Sequence, residues 1–180
     1  MDAGLLDDPD DLSKINISGN ATVSGGATVT GRAKVSGNAK VFGNANVGYD
    51  ASVSGDAKVF GNARVYSNAE VWDNALVYGD AMVTGRAKVY GRAKMSGNAV
   101  VSGDAEVYGN AKVYDHGMVL SGRVKVYGDA HVYGRAVVSG RAKVYGNADI
   151  SGTARILGGD WDGSEGPITS GKWMAPGVPA

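Results

Sequence analysis

An aliphatic residue recurs at every sixth position through most of this chain. Val, Ile or Met occupies that position from Ile17 to Val119 and again from Val126 to Ile156, which makes 24 units. Ala stands two residues before almost every one of them, and the unit reads Val-x-Gly-Asn/Asp/Arg-Ala-x, as in Val107-Tyr108-Gly109-Asn110-Ala111-Lys112. A period of six matches neither the 3.6-residue repeat of an amphipathic helix nor the sustained alternation of a long strand. Gly fills the third position in 20 of the 24 units, Tyr49, Ser67, Asp73 and Asp115 replace it, and Gly117 and Val124 replace Ala.

Ala and Val two residues apart point to one side of an extended segment, and the residues before and after Val point to the other. The next two positions form a corner. Gly tolerates a positive φ, and Asn or Asp, both turn formers, fills the fourth position in 14 of the first 23 units. A strand this short with a single inward seam has no stability alone, so it must stack coil on coil with parallel pairing between them, which is a β-solenoid. Composition agrees: Gly (29), Ala (24) and Val (24) serve the corner and the two inward positions, while only 6 Leu remain, too few for a helical bundle. The absence of Cys removes disulfides, thiolate metal sites and cysteine nucleophiles together.

These hexads resemble the left-handed β-helix family of hexapeptide-repeat proteins, and the resemblance covers Ile15 to Leu157. It implies an all-β fold, a left-handed parallel β-helix of triangular section with three hexads per coil. The 24 hexads would then make 8 coils, a prism of roughly 38 Å at ~4.8 Å per stacked strand. The Gly-Asn-Ala-x-Val-Tyr wording is similar to short bacterial and phage-encoded repeat proteins. The family contains acyltransferases, which use a histidine base near a subunit boundary and a coenzyme A donor, and carbonic anhydrases, which hold zinc on three His. It also implies a homo-oligomer, a trimer before a dimer. Three segments are expected: an acidic N-terminal cap over residues 1–14, the solenoid over 15–157, and a Gly/Pro/Trp-containing tail over 158–180.

Residues eighteen apart stack in such a coil, so the outward positions sort into three faces. On the first, Trp72, Tyr90, Tyr108, Tyr127 and Tyr145 follow Val, and Glu70, Lys88, Glu106, Lys125 and Lys143 precede it. Mixed charge and stacked rings make this face structural. On the second, Lys40, Lys58, Leu76, Lys94, Lys112 and His131 precede Val, and Phe42, Phe60, Tyr78, Ser96, Tyr114 and Tyr133 follow it. Basic groups interleaved with rings can bind a polyanion or an elongated glycan; alternatively the lysine stems simply lie along neighbouring rings. On the third, Met82, Val100, Met118 and Val137 precede Val, with Leu120 and Leu157 beside Thr84, Ser102 and Ser139. An outward apolar column of this kind is expected to form the oligomer interface.

Chemistry is sparse. The spacing between Val119 and Val126 is seven, so Leu120-Ser121-Gly122 carries one extra residue, close to the atypical Asp115-His116-Gly117. His116 is the candidate base under an acyltransferase reading, the one reading that would call for coenzyme A. His131 lies on another face, and two His do not make the three-His zinc site, so no metal and no cofactor are expected. The chain balances 18 basic against 18 acidic residues, yet residues 15–157 hold 16 basic and 10 acidic ones. The zero total is a sum of acidic ends and a basic solenoid. With no long apolar segment, the expectation is a cytoplasmic protein of a bacterium or a phage-infected cell with no membrane partner. It would be a non-catalytic, rigid, self-associating structural or binding protein, with a further protein, polyanion or glycan as partner.

Overall fold

With two exceptions on one face, a hexad folds as a two-residue strand, the outward residue and its Val, followed by a corner. The structure, a computed structural model, describes residues 16–175 and 178–179. The strands of the hexads pair in parallel at a spacing of three hexads, as in Lys40↔Lys58 and Val41↔Val59, and the pairing carries across the inserted residue as Lys112↔His131. Three sheets of nine, eight and ten strands result, one for each side of a triangular prism. No helix occurs among the described residues. Among the described residues the one antiparallel pair joins Val178–Pro179 to Lys172–Ala175.

The prism interior is the Ala and Val of successive hexads. From Ala27 upward nearly all are fully buried, and Met95, Ile150 and Ile156 take the Val place without exposure. Burying each such Val stabilises the fold by about 1.5 kcal/mol or more. The backbone is satisfied vertically: Lys58 N–H donates to Ala75 O (3.0 Å), Phe60 to Val77 O (3.0 Å) and Asn62 to Gly79 O (2.8 Å), and the same three bonds recur along the chain. Pairing and burial therefore repeat together every eighteen residues.

The sheets run on past the last hexad. Asp160–Trp161 joins the first sheet against Lys143 and Val144, Ile168 bridges Ile150 on the second, and Lys172 and Trp173 pair with Arg155 and Ile156 on the third. The eight hexad coils are thus followed by a ninth of non-repeat sequence. Trp161 occupies the Val column at 0% exposure, its indole N–H donates to Gly158 O at 2.7 Å, and Trp173 meets it edge to face at 6.1 Å. These two rings cover the upper end of the core. At the lower end Ile17 is 42% exposed; the acidic segment expected to cap it, residues 1–14, lies outside the described residues.

The corner shows why Gly recurs. Gly61 has φ +74°, and a Cβ there would lie 3.0 Å from the backbone nitrogen of Gly79 in the next coil. A side chain meets both the left-handed backbone penalty and a neighbour that cannot withdraw without breaking the coil-to-coil bonds. Tyr49, Ser67, Asp73 and Asp115 adopt the same positive φ, between 55° and 62°, without being Gly. Asp73 is compensated because its carboxylate accepts a hydrogen bond from Gly91 N–H at 3.2 Å; Ser67 has only a 3.4 Å hydroxyl contact with Thr84. Gly61→Ala is expected to destabilise the protein by about 2 kcal/mol, and Ser67→Gly to stabilise it by about 0.5–1 kcal/mol, both measured by urea unfolding.

Candidate binding faces and the corner histidine

On the first face the rings form an unbroken ladder. Trp72, Tyr90, Tyr108, Tyr127 and Tyr145 stack at 4.5, 4.9, 4.9 and 5.1 Å, with planes within 6° of parallel. Identical positions one coil apart are held by the backbone at the separation rings prefer for offset stacking. The charged column beside it is paired vertically: Lys125 to Glu106 at 3.2 Å and Lys143 to Asp160 at 3.1 Å. The Lys88 ammonium lies 6.0 Å from the Trp72 ring centre. Such exposed pairs contribute little individually, and they leave this face self-neutralised.

The second face carries two shorter ladders. Phe42, Phe60 and Tyr78 stack at 4.8 and 5.0 Å, Tyr114 and Tyr133 stack at 4.7 Å, and Ser96 lies between the two sets. Lys40, Lys58 and Lys94 are exposed, while Lys112 and His131 are half-buried. Leu76 interrupts the basic column and Asp149 ends it, accepting a 3.4 Å hydrogen bond from the Tyr133 hydroxyl. These lysines and rings therefore lie on one sheet and in vertical register, with two breaks.

On the third face Met82, Val100, Met118 and Val137 pair in succession. Each is half-buried, because each lies against the next. Arg64 stands below the column and Arg155 above it. Leu120 and Leu157 are half-buried beside it. The inserted residue falls here: the register shifts between Val119 and Gly122, where Gly122 pairs with Gly140. The consequence is a five-residue strand, Met118–Gly122, and a four-residue one, Val137–Gly140.

His116 sits at the corner between the second and third sheets, one corner earlier than the insertion. Its side chain is exposed, and its backbone N–H makes the ordinary corner bond to Gly134 O at 2.9 Å. His131 points its ring at Tyr114, edge to face at 6.1 Å. Among the described residues no three His, Cys, Asp or Glu side chains group as metal ligands.

Two features escaped the sequence reading. The corner Asn and Asp residues are more than turn formers, since Asn38 donates to Asp56 (2.9 Å), Asn62 to Asp80 (2.9 Å) and Asn110 to Asp129 (3.0 Å), and Arg32 pairs with Asp50 at 2.8 Å. The signal was the donor-below-acceptor order at a spacing of one coil. The other is the break at Ser96, which reads in sequence as one small residue in an aromatic column.

Comparison with known proteins agrees with this architecture. The YdcK β-solenoid repeat family matches residues 17–31. A search of the curated proteins found no matching sequence. Among solved structures, the chain is similar to Arabidopsis UDP-N-acetylglucosamine acyltransferase, with a TM-score of 0.52, 11% identity, and coverage of 89% of this chain and 67% of that one. At that identity the likeness speaks to fold, and the fold is the triangular left-handed β-helix of hexapeptide-repeat proteins.

The ladders also set a pH dependence. Burial pushes the phenols of Tyr90, Tyr108, Tyr114 and Tyr145 above the ordinary tyrosine value, and the nearby Glu106 carboxylate adds to the effect at Tyr90. Up to about pH 9 these groups are protonated in both folded and unfolded chains and contribute no slope. Above about pH 10 the unfolded chain loses phenolic protons that the ladder still holds, so stability falls as pH rises. Urea midpoints are expected to decline above about pH 10, and to decline less steeply in Tyr90→Phe/Tyr108→Phe.

Proposed function

We propose that this protein is a non-catalytic, rigid β-solenoid that self-associates through its third face and works as a structural or binding element, with a trimer favoured over a dimer. The observation that carries the reading is the outward column Met82, Val100, Met118 and Val137, in register over four coils on a side otherwise lined near it by the small residues Thr84, Ser102 and Ser139. Apolar side chains at outward positions of a sheet gain most when a second flat surface covers them. The small neighbours let that surface approach closely. Leu120 and Leu157 extend the strip towards the edge of the prism, and the Arg64 and Arg155 side chains bound it at both ends. The triangular section supports a flat packing of prism against prism, the arrangement by which closed symmetric assemblies form.

The cytoplasm of a bacterium or a phage-infected cell is the setting in which we place it. Acyl transfer is the competing reading, drawn from the fold's occurrence in an acyltransferase. It would put the base at His116, which stands exposed at its corner.

Sedimentation velocity tests the main reading. The wild-type chain is expected to sediment as an oligomer, and Val100→Asp/Val137→Asp as the 18.4 kDa chain with its β-type circular dichroism retained; an unchanged assembly state would sink the proposal. Incubated with acetyl-CoA, wild type and His116→Ala are expected to release free thiol equally slowly, whereas His116-dependent release would overturn the non-catalytic reading.

A further inference from the structure

The aromatic column of the second face is missing one rung. Ser96 holds the place between Tyr78 and Tyr114, because the strand Lys94–Met95 pairs with Leu76–Val77 on one side and Lys112–Val113 on the other. The flanking rings belong to ladders with spacings of 4.7–5.0 Å and planes within 5° of parallel. Two such steps separate Tyr78 from Tyr114, about 10 Å. A flat ring inserted between them would lie about 5 Å from each, the separation the ladder itself uses. Phe60 covers one side of Tyr78 and Tyr133 covers one side of Tyr114; the sides turned towards Ser96 face the gap.

The gap is a groove of about 260 Å³ lined by Tyr78, Lys94, Ser96, Lys112, Tyr114 and His131. An apolar cavity of about 150 Å³ accommodates benzene, so this groove takes one or two fused rings. Its lining contains two ammonium groups and no carboxylate. Lys94 precedes Met95 and Ser96 follows it, so both point outward from the same short strand, and both line the gap.

We propose that the Ser96 gap is a binding slot for a single planar aromatic ring system bearing an anionic group. The ring stacks between Tyr78 and Tyr114 and the anion meets Lys94 and Lys112. This is a local site one ring thick, distinct from capture of a polymer along the whole face, and it does not depend on self-association through the third face. An aromatic carboxylate and a mononucleotide share this chemistry, and the test separates them.

Calorimetric titration of the full chain with 1-naphthoate is expected to give one saturable site per chain. Cyclohexanecarboxylate, with the same charge and no π-face, is expected to bind at least about tenfold more weakly. Lys94→Ala/Lys112→Ala is expected to weaken 1-naphthoate about tenfold while leaving neutral 1-naphthalenemethanol unchanged. Adenosine 5′-monophosphate binding tighter than 1-naphthoate identifies a nucleotide-type ligand, and the reverse order an aromatic acid. Ser96→Tyr supplies the missing ring from the protein: it is expected to abolish 1-naphthoate binding and to raise Tm by at least about 3 °C. The proposal is overturned if neither aromatic anion binds saturably at millimolar concentration, if Ser96→Tyr keeps binding, or if Ser96→Tyr lowers Tm, which would show that the gap is not shaped for a ring.

Discussion

Vertical pairing of each residue with its counterpart one coil on is the constraint from which the other features of this molecule follow. Because the backbone bonds recur at the same three positions of each hexad, neighbouring coils are locked in register at the spacing of paired strands. Any side chain then has as its nearest neighbours the residues at the same position above and below. Val stacks on Val inside, ring on ring outside, and amide on carboxylate at the corners. The Gly at the corner belongs to the same constraint, since at Gly61 the next coil lies too close for a Cβ.

A prism built this way has flat sides, on which the outward groups stand in columns. The first face spends its charges on one another through Lys125–Glu106 and Lys143–Asp160. Distinctive surface chemistry therefore arises where a column changes character: the run of aliphatics between Arg64 and Arg155 on the third face, and the loss of a ring at Ser96 on the second. The likeness to an acyltransferase is a likeness of scaffold, because scaffold and site are specified by different residues.

Most of the scaffold was legible because each hexad repeats the same local instruction. The Ala-x-Val pattern alone placed the buried residues, and the 18-residue column rule assigned the outward ones to the correct sheets, including across the insertion, where Glu106 meets Lys125. The strand pairing that makes the tail a ninth coil was not legible. Asp160-Trp161 follows no hexad; it joins the first sheet because the exposed edge of Lys143–Val144 offers hydrogen bonds, and because Trp161 fills the end of the core while Gly158 O accepts its indole N–H. Spacing placed the extra residue at Leu120-Ser121-Gly122 but did not show its effect, which is to lengthen the strand Met118–Gly122 and shift its register while the backbone N–H of His116 keeps the usual corner bond. For the candidate faces, the eighteen-residue spacing gave the vertical register that the pairing shows, but not how deeply each side chain is covered. That Lys112 is half-buried while Lys94 is exposed depends on neighbours from three coils.

Sequence by itself determined the repeating unit: a six-residue period with two inward positions and a glycine corner makes a β-solenoid, because each choice is made locally and repeated, while three units per coil was implied by the resemblance to hexapeptide-repeat proteins and is seen in the three sheets. Tertiary structure decided what lies at the irregularities: the two-Trp upper end, the shifted register at Gly122, and the open slot between Tyr78 and Tyr114. The physical reason is that a repeated residue has the same neighbours in every coil, so its environment can be read from one unit. An interruption is defined by what stacks above and below it, and those residues are a full coil away in either direction.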